Sequence, residues 1–126
     1  MQLDMKQLIE DFPVVFNGMS PWCSHNGVGV GWEPLIRELC QELTDILEEP
    51  GLVVMAQIKE KWSDLRWYMD WNRDVPKDEA KWEACYAAVA KAERKSSTTC
   101  ELCGNVGGKT SKGWTKTLCN DCERLR

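Results

Sequence analysis

The chain has 126 residues, of which 43% are hydrophobic and 29% charged, with a formal net charge of −4. This composition excludes a disordered tail, and the length suits one small domain or one domain carrying a small metal-stabilised module. No stretch approaches the roughly twenty apolar residues that cross a bilayer, and no signal-peptide pattern opens the chain. An odd number of cysteines, here seven, does not suit a closed disulfide framework. Together with the missing spanning and signal segments, this count predicts a cytoplasmic protein without a membrane partner.

The hydrophobic pattern predicts two helices in the first half of the chain. A short amphipathic helix near the N-terminus stops at Pro13, and a glycine-rich loop covers residues 17–31. A second helix is predicted to open at Trp32-Glu33-Pro34, because a proline in the first turn has no N–H to leave unpaired. It ends at Pro50-Gly51.

From Leu52 the apolar period changes to two, which is typical of strands. Residues 52–61 and 65–71 are predicted to form an antiparallel hairpin around a turn at Trp62-Ser63-Asp64. A lone hairpin is only marginally stable, so we expect helices to cover one of its faces.

A third helix is predicted to start at Pro76-Lys77-Asp78-Glu79, where acidic side chains fill the first turn, and to end near Lys95. Its predicted apolar face consists of Trp82, Cys85, Tyr86 and Val89. The sequence therefore predicts an α+β protein, an antiparallel β-hairpin covered by helices. We expect a helical and hairpin domain at residues 1–97 and a zinc-binding module at residues 98–126 that is packed on it or tethered to it.

Two C-x-x-C pairs lie in the last third of the chain. Cys100 and Cys103 are separated from Cys119 and Cys122 by fifteen residues, which is the spacing of structural zinc sites. Each pair forms a knuckle that directs two thiolates at one ion, and two knuckles complete a tetrahedron. Redox-active pairs would need a thioredoxin-like strand and helix around the motif, and that pattern is missing here. We predict one structural Zn²⁺ with no open position for catalysis.

The segment Gly113-Trp114…Leu118-Cys119-Asn120-Asp121-Cys122 resembles the second half of GATA-type and related treble-clef zinc fingers. The resemblance implies a treble-clef-like module in which the second cysteine pair caps a helix. GATA-type DNA binding uses a longer helix and a basic tail after the last cysteine. Here only Glu123-Leu125 and the final arginine follow, so the resemblance extends to the fold and not to DNA recognition.

A longer succession of motifs resembles small uncharacterised proteins encoded by phages, prophages and bacteria. The motifs run from Gly31 to Cys122 and include Gln57-Ile58-Lys59-Glu60-Lys61-Trp62, Leu65-Arg66-Trp67-Tyr68 and Thr99-Cys100-Glu101-Leu102-Cys103-Gly104. Small phage proteins of this kind commonly bind a host protein. The resemblance therefore implies a modulator or inhibitor of a host protein, such as a defence or replication factor, acting in the host cytoplasm.

Three residues in loop-like segments are candidate partner-binding residues: Trp22, His25 and Trp114. Exposed tryptophan is a frequent anchor at interfaces, but burial against the hairpin or the zinc knuckle would equally explain Trp114 and Trp62. Cys23 and His25 also admit a thiol nucleophile with its base, although such pairs usually come from separate elements. We expect an interaction protein without enzymatic activity.

Nucleic-acid binding is the alternative function. Residues 91–126 carry eight Lys or Arg against four Asp or Glu, while the preceding part of the chain is acidic. Four thiolates and one Zn²⁺ would lower this excess, so the basic patch is mild for binding to a phosphate backbone. The residues that would carry this function are Lys109, Lys112, Lys116, Arg124 and Arg126.

Overall fold

The computed structural model describes residues 2–19, 27–110 and 113–125. In chain order the elements are α1 (Met5–Asp11), α2 (Pro13–Phe16), a 3₁₀ turn (Val30–Trp32), α3 (Glu33–Leu47), β1 (Val53–Lys61), β2 (Asp64–Trp71), α4 (Glu79–Ser96), β3 (Gly108–Lys109), β4 (Thr117–Leu118) and α5 (Asn120–Arg124). This order confirms the α+β class and the antiparallel hairpin. None of the helices in the described ranges is both long and apolar enough to cross a membrane.

The predicted N-terminal helix is present as α1 and ends before Pro13, but a second short helix, which was not predicted, follows it. Asp4 caps α1 by accepting a hydrogen bond from the backbone N–H of Gln7 at 3.2 Å. The helix ends at Asp11, but Pro13 then opens the short helix α2. Proline is compatible with a first helical turn because the N–H that it lacks would have no partner there.

The predicted second helix is confirmed as α3, which has Pro34 in its first turn. The chain leaves the helix at Glu48 in a left-handed conformation, with φ +69°, shortly before the predicted stop. One face of α3 is buried along its whole length, and the helix packs against α4 and α2. That face consists of Leu35, Ile36, Leu39, Cys40, Leu43 and Leu47.

A β-bulge decides which face of the hairpin is buried. The register between β1 and β2 shifts between Met55 and Gln57, so Ala56 is an extra residue in β1. A strict period of two would place Ile58 on the face opposite Met55. The bulge instead returns Ile58 to the buried face, where it lies with Val53 and Met55.

Helix α4 covers the free edge of β2. The side chains of Glu93 and Ser96 accept hydrogen bonds from the backbone N–H groups of Trp67 (3.0 Å) and Leu65 (2.9 Å). These bonds satisfy strand-edge donors that would otherwise be free to pair with another chain.

The predicted apolar face of α4 needs one correction, because Tyr86 is 70% exposed. The buried face is centred on Cys85, Ala88 and Ala92. Tyr86 follows Cys85 directly and is therefore rotated by about 100° around the helix axis, towards solvent.

Several tryptophans contribute to the core, among them Trp82 on the predicted apolar face of α4. Trp32 is fully buried, and Trp67 packs edge-on against Phe16 with ring centroids 6.3 Å apart. Trp71 and Trp82 form a second T-shaped pair at 6.2 Å and are partly buried. Within the described residues, the indole N–H of Trp67 is buried without a hydrogen-bond acceptor.

Candidate metal centre

The fold brings the four predicted cysteine ligands together. The Sγ atoms of Cys100, Cys103, Cys119 and Cys122 all lie within 4.8 Å of one another. Four sulfurs that bind one zinc at about 2.3 Å lie about 3.8 Å apart at the corners of a tetrahedron. The Sγ atoms of Cys103 and Cys119 are 3.6 Å apart, which fits that edge and is far too long for a disulfide bond. The cluster therefore has the dimensions to hold one metal ion.

The first knuckle is a tight turn closed by backbone hydrogen bonds. The N–H of Gly104 donates to the carbonyl oxygen of Cys100 at 2.9 Å, and the N–H of Cys100 donates to the carbonyl oxygen of Asn105 at 2.7 Å. Gly104 has φ +84°, a conformation that glycine adopts without steric strain. The turn places the two thiols of this pair on the same side of the chain.

The second pair lies where a strand passes into a helix. Strands β3 and β4 pair Gly108 with Leu118, and Cys119 then forms the N-cap of α5. The Sγ atom of Cys119 accepts a hydrogen bond from the backbone N–H of Cys122 at 3.4 Å. The junction between strand and helix thus directs both sulfurs towards the first knuckle. A helix capped by the second pair is also what the zinc-finger resemblance implies.

The electrostatics of the cluster favour a cation. Burial raises the pKa of Cys100, but backbone N–H donors from Cys119, Cys103 and Leu102 outweigh it and lower the pKa to about 6. The thiol of Cys119 raises the pKa of Cys122 far above its usual value. Loss of a proton is therefore favoured at Cys100 and opposed at Cys122. A divalent cation stabilises thiolates and allows the remaining thiols to ionise.

The cluster lies at the surface with one side turned towards the protein. Cys100 is fully buried and Cys119 is 9% exposed, whereas Cys122 is half-buried and Cys103 is exposed. The buried side of the cluster rests against the segment that leads into α3. The contacts on that side determine how the cysteine-rich segment is held.

Two glycines before α3 allow the first knuckle to approach closely. The N–H of Gly31 donates to the carbonyl oxygen of Glu101 at 2.7 Å, and Trp32 Nε1 donates to the carbonyl oxygen of Thr99 at 2.7 Å. A Cβ atom on Gly29 would lie 2.4 Å from a backbone oxygen of Glu101, and one on Gly31 would lie 2.3 Å from that of Cys100. The glycines that the pattern marked only as loop residues are therefore required for this contact.

Glu101 is a structural residue that the sequence analysis missed. Its side chain is almost fully buried inside the knuckle. Oε2 accepts a hydrogen bond from the N–H of Gly29 at 3.1 Å, and Oε1 lies 3.3 Å from Nζ of Lys116. A buried carboxylate needs such partners to offset its loss of hydration. An acidic residue inside a C-x-x-C motif gives no sequence signal for this role.

The other candidate residues fall outside the cluster. Trp114 is 75% exposed in the loop between β3 and β4. Trp22, Cys23 and His25 lie outside the described residues, so the hypotheses about them stay predictions. Cys85 is buried in α4, where burial raises its pKa to about 11, so its thiol stays protonated at neutral pH.

Comparisons with protein-family models, with curated proteins and with solved structures find no match to this chain. The two resemblances noted in the sequence therefore stay hypotheses. The four close cysteines and the contacts around them are the observations from which a function is inferred.

Proposed function

We propose that the four cysteines bind one structural Zn²⁺ in a treble-clef-like module, and that the chain is a non-enzymatic cytoplasmic protein that binds a protein partner. Soft thiolate ligands in a tetrahedral arrangement favour zinc over hard cations. A site with four protein ligands leaves no position for a substrate or a reactive water, which supports a structural role. The free thiols of the described cysteines are consistent with a reducing compartment.

The observation that carries the proposal is the distribution of exposed apolar side chains in the described residues. Trp62 is 74% exposed and Trp114 is 75% exposed. Trp62 lies in the turn of the main hairpin, whereas Trp114 belongs to the cysteine-rich segment. Three of the five other exposed large apolar side chains in the described part of the chain also belong to that segment, namely Leu102, Val106 and Leu125. Apolar side chains held in solvent on a rigid frame are typical of protein-binding surfaces, and tryptophan is enriched among the residues that dominate binding energy.

Ion pairs in the same segment weaken the nucleic-acid alternative. Lys109 Nζ lies 3.1 Å from a carboxylate oxygen of Asp64. Lys116 pairs with the buried Glu101, and Arg124 pairs with a carboxylate one helical turn away. A cation that already faces a carboxylate releases fewer counterions when it meets a phosphate. Of the five basic residues in that hypothesis, Lys112 and Arg126 lie outside the described residues.

The class of partner follows from the resemblance to small phage and prophage proteins. If that resemblance reflects kinship, the partner is a host protein and binding modulates or inhibits it. The acidic first part of the chain and the apolar side chains near the cysteines suit a protein surface better than a phosphate backbone.

The test is capture of a partner by immobilised, zinc-loaded protein, followed by titration with the purified partner. Trp62→Ala and Trp114→Ala each remove an exposed indole, and Tyr86→Ala removes an equally exposed ring from α4 as a matched control. We expect at least one tryptophan variant to weaken binding by about 30-fold or more, as for an interface hot spot. The control should bind within a factor of three.

The two functions separate by salt dependence. The chain could instead bind a nucleic acid with an affinity that falls steeply as the salt concentration rises, and the captured proteins could be lost after nuclease treatment. These two results would replace protein binding by nucleic-acid binding as the function. A protein partner whose affinity is unchanged in both tryptophan variants would move the interface to another surface.

A further inference from the structure

The turn of the main hairpin has an unusual backbone. Trp62 has φ +56° and Ser63 has φ +70°. Two-residue hairpin turns commonly require positive φ at both positions, and asparagine followed by glycine is the usual solution. A bulky aromatic residue followed by serine is disfavoured in this conformation. Such strain persists only where the surroundings over-determine the backbone.

The N–H, the hydroxyl and the carbonyl oxygen of Ser63 all make hydrogen bonds, and two of these bonds come from the cysteine-rich segment. The hydroxyl of Thr117 donates to the carbonyl oxygen of Ser63 at 2.7 Å, and Lys109 Nζ donates to Ser63 Oγ at 2.7 Å. The remaining group, the N–H of Ser63, donates to a carboxylate oxygen of Glu60 at 2.8 Å. Both Ser63 and Thr117 are completely buried, so water cannot replace these bonds.

The groups that hold the turn are directly connected to the cysteines. Lys109 and Thr117 face each other across β3 and β4, and Thr117 is two residues from Cys119. The carbonyl oxygen of Thr117 also accepts a hydrogen bond from the N–H of Glu101 at 2.9 Å. Lys116 Nζ lies between Glu101 (3.3 Å) and Glu60 (3.6 Å), the same glutamate that holds the N–H of the turn.

The β3–β4 ribbon is too short to be stable without contacts to other parts of the molecule. Each strand has two residues, and a two-stranded ribbon of this size is not stable alone in water. Among the described residues, the buried apolar cluster around it consists of Cys100, Leu118 and Cys119, with Cys122 packed against them. A metal that joins both knuckles supplies the free energy that such a small cluster lacks.

We infer that binding of a metal to the four cysteines fixes the Trp62–Ser63 turn in its left-handed conformation, so that presentation of the Trp62 indole depends on the metal. The role of the Trp62 indole in binding rests on the function proposed above. The effect of the metal on the turn concerns only the chain itself. Because coupling between two sites is reciprocal, a turn that is docked on β3 and β4 also tightens metal binding.

The first experiment follows amide hydrogen exchange in the zinc-loaded and the chelator-treated full chain. The N–H of Ser63 reports on the turn, and the N–H of Asn72, which donates to the carbonyl oxygen of Leu52 at 2.8 Å, reports on the opposite end of the hairpin. Removal of zinc should accelerate exchange at Ser63 at least tenfold more than at Asn72. Equal acceleration at both positions, or none at Ser63, would overturn the inference.

The second experiment cuts the connection while the cysteines stay in place. Thr117→Val keeps the shape of the side chain and removes the hydroxyl that holds the turn, and Thr115→Val makes the same change at an exposed position. In the zinc-loaded state, Thr117→Val should bind one equivalent of zinc, accelerate exchange at Ser63 and raise the zinc Kd by about 5- to 150-fold, the usual range of coupling between sites. Thr115→Val should match the wild type.

A further variant provides a check in case the buried Thr117→Val substitution causes misfolding. Lys109→Met removes a half-exposed ammonium that contacts Ser63 Oγ and the carbonyl oxygen of Trp62. It should accelerate Ser63 exchange in the same direction. Unchanged exchange at Ser63 in both zinc-loaded variants would refute the coupling. None of these measurements needs a partner, so they can succeed while the interaction hypothesis fails.

Discussion

Gly31→Ala tests the contact between the first knuckle and the segment before α3. A Cβ atom at this position would lie 2.3 Å from the carbonyl oxygen of Cys100 and 2.6 Å from the carbonyl carbon and oxygen of Glu101. All three are backbone atoms, so no side chain can rotate away. Either the knuckle or the 3₁₀ turn must shift, and the 2.7 Å hydrogen bond from the N–H of Gly31 to Glu101 would then be lost.

The magnitude follows from these two effects. Overpacking at a well-packed contact destabilises by about 1–3 kcal/mol, and a lost hydrogen bond adds about 1 kcal/mol. The clash exists only when the knuckle is docked, and we expect docking to accompany metal binding because the metal orders the cysteine-rich segment. The whole penalty of about 2–4 kcal/mol should therefore appear as a rise in the zinc Kd of about 30- to 1,000-fold.

The assay is competition for zinc between the folded protein and a chromophoric chelator. Gly108→Ala is the matched control, because nothing lies within 4 Å of its Cβ position. Both substitutions restrict the unfolded chain equally, so the ratio of the two Kd values isolates the contact. If Gly31→Ala binds zinc within a factor of three of the control, the close approach described for this glycine is wrong.

Two further predictions concern the metal and the buried indoles. Cys119→Ser should abolish binding of one equivalent of zinc and remove exchange protection from residues 98–125, while α3 keeps its protection. The reason is that each structural ligand contributes to ordering the segment. Protection lost equally along the chain would argue against this prediction. Trp32→Phe should destabilise the protein by about 1 kcal/mol more than Trp67→Phe in urea unfolding, since it alone removes the donor to a half-buried carbonyl oxygen, that of Thr99; equal losses would contradict that assignment.

The parts of the structure that follow from local periodicity were predictable. Helix α3 and the hairpin agree with the sequence pattern to within a few residues, because their apolar side chains repeat at helical or strand spacing. The cysteine cluster was predictable too, since the two C-x-x-C pairs specify both the ligands and their geometry.

Other features depend on contacts between distant residues and left no local signal. The bulge at Ala56 changes the face of Ile58, and nothing in the alternating pattern marks it. The burial of Glu101 depends on partners from the glycine-rich loop and from β4. The left-handed turn at Trp62 and Ser63 contradicts local preference, which is why only the groups packed around it explain it.

The two buried clusters explain why the metal can control the turn without controlling the fold. Among the described residues, the large core includes α3, α4 and the hairpin and contains none after Ala92, whereas the small cluster consists of Cys100, Leu118 and Cys119. In the described part of the chain, the contacts between the large core and the cysteine-rich segment are mainly hydrogen bonds and ion pairs. They are made by Glu101, Thr117, Lys109 and Lys116. Apolar burial supplies most of the free energy of folding, so the large core can persist when these polar contacts open. A zinc-dependent surface on a zinc-independent core is therefore the arrangement that this division of the interior favours.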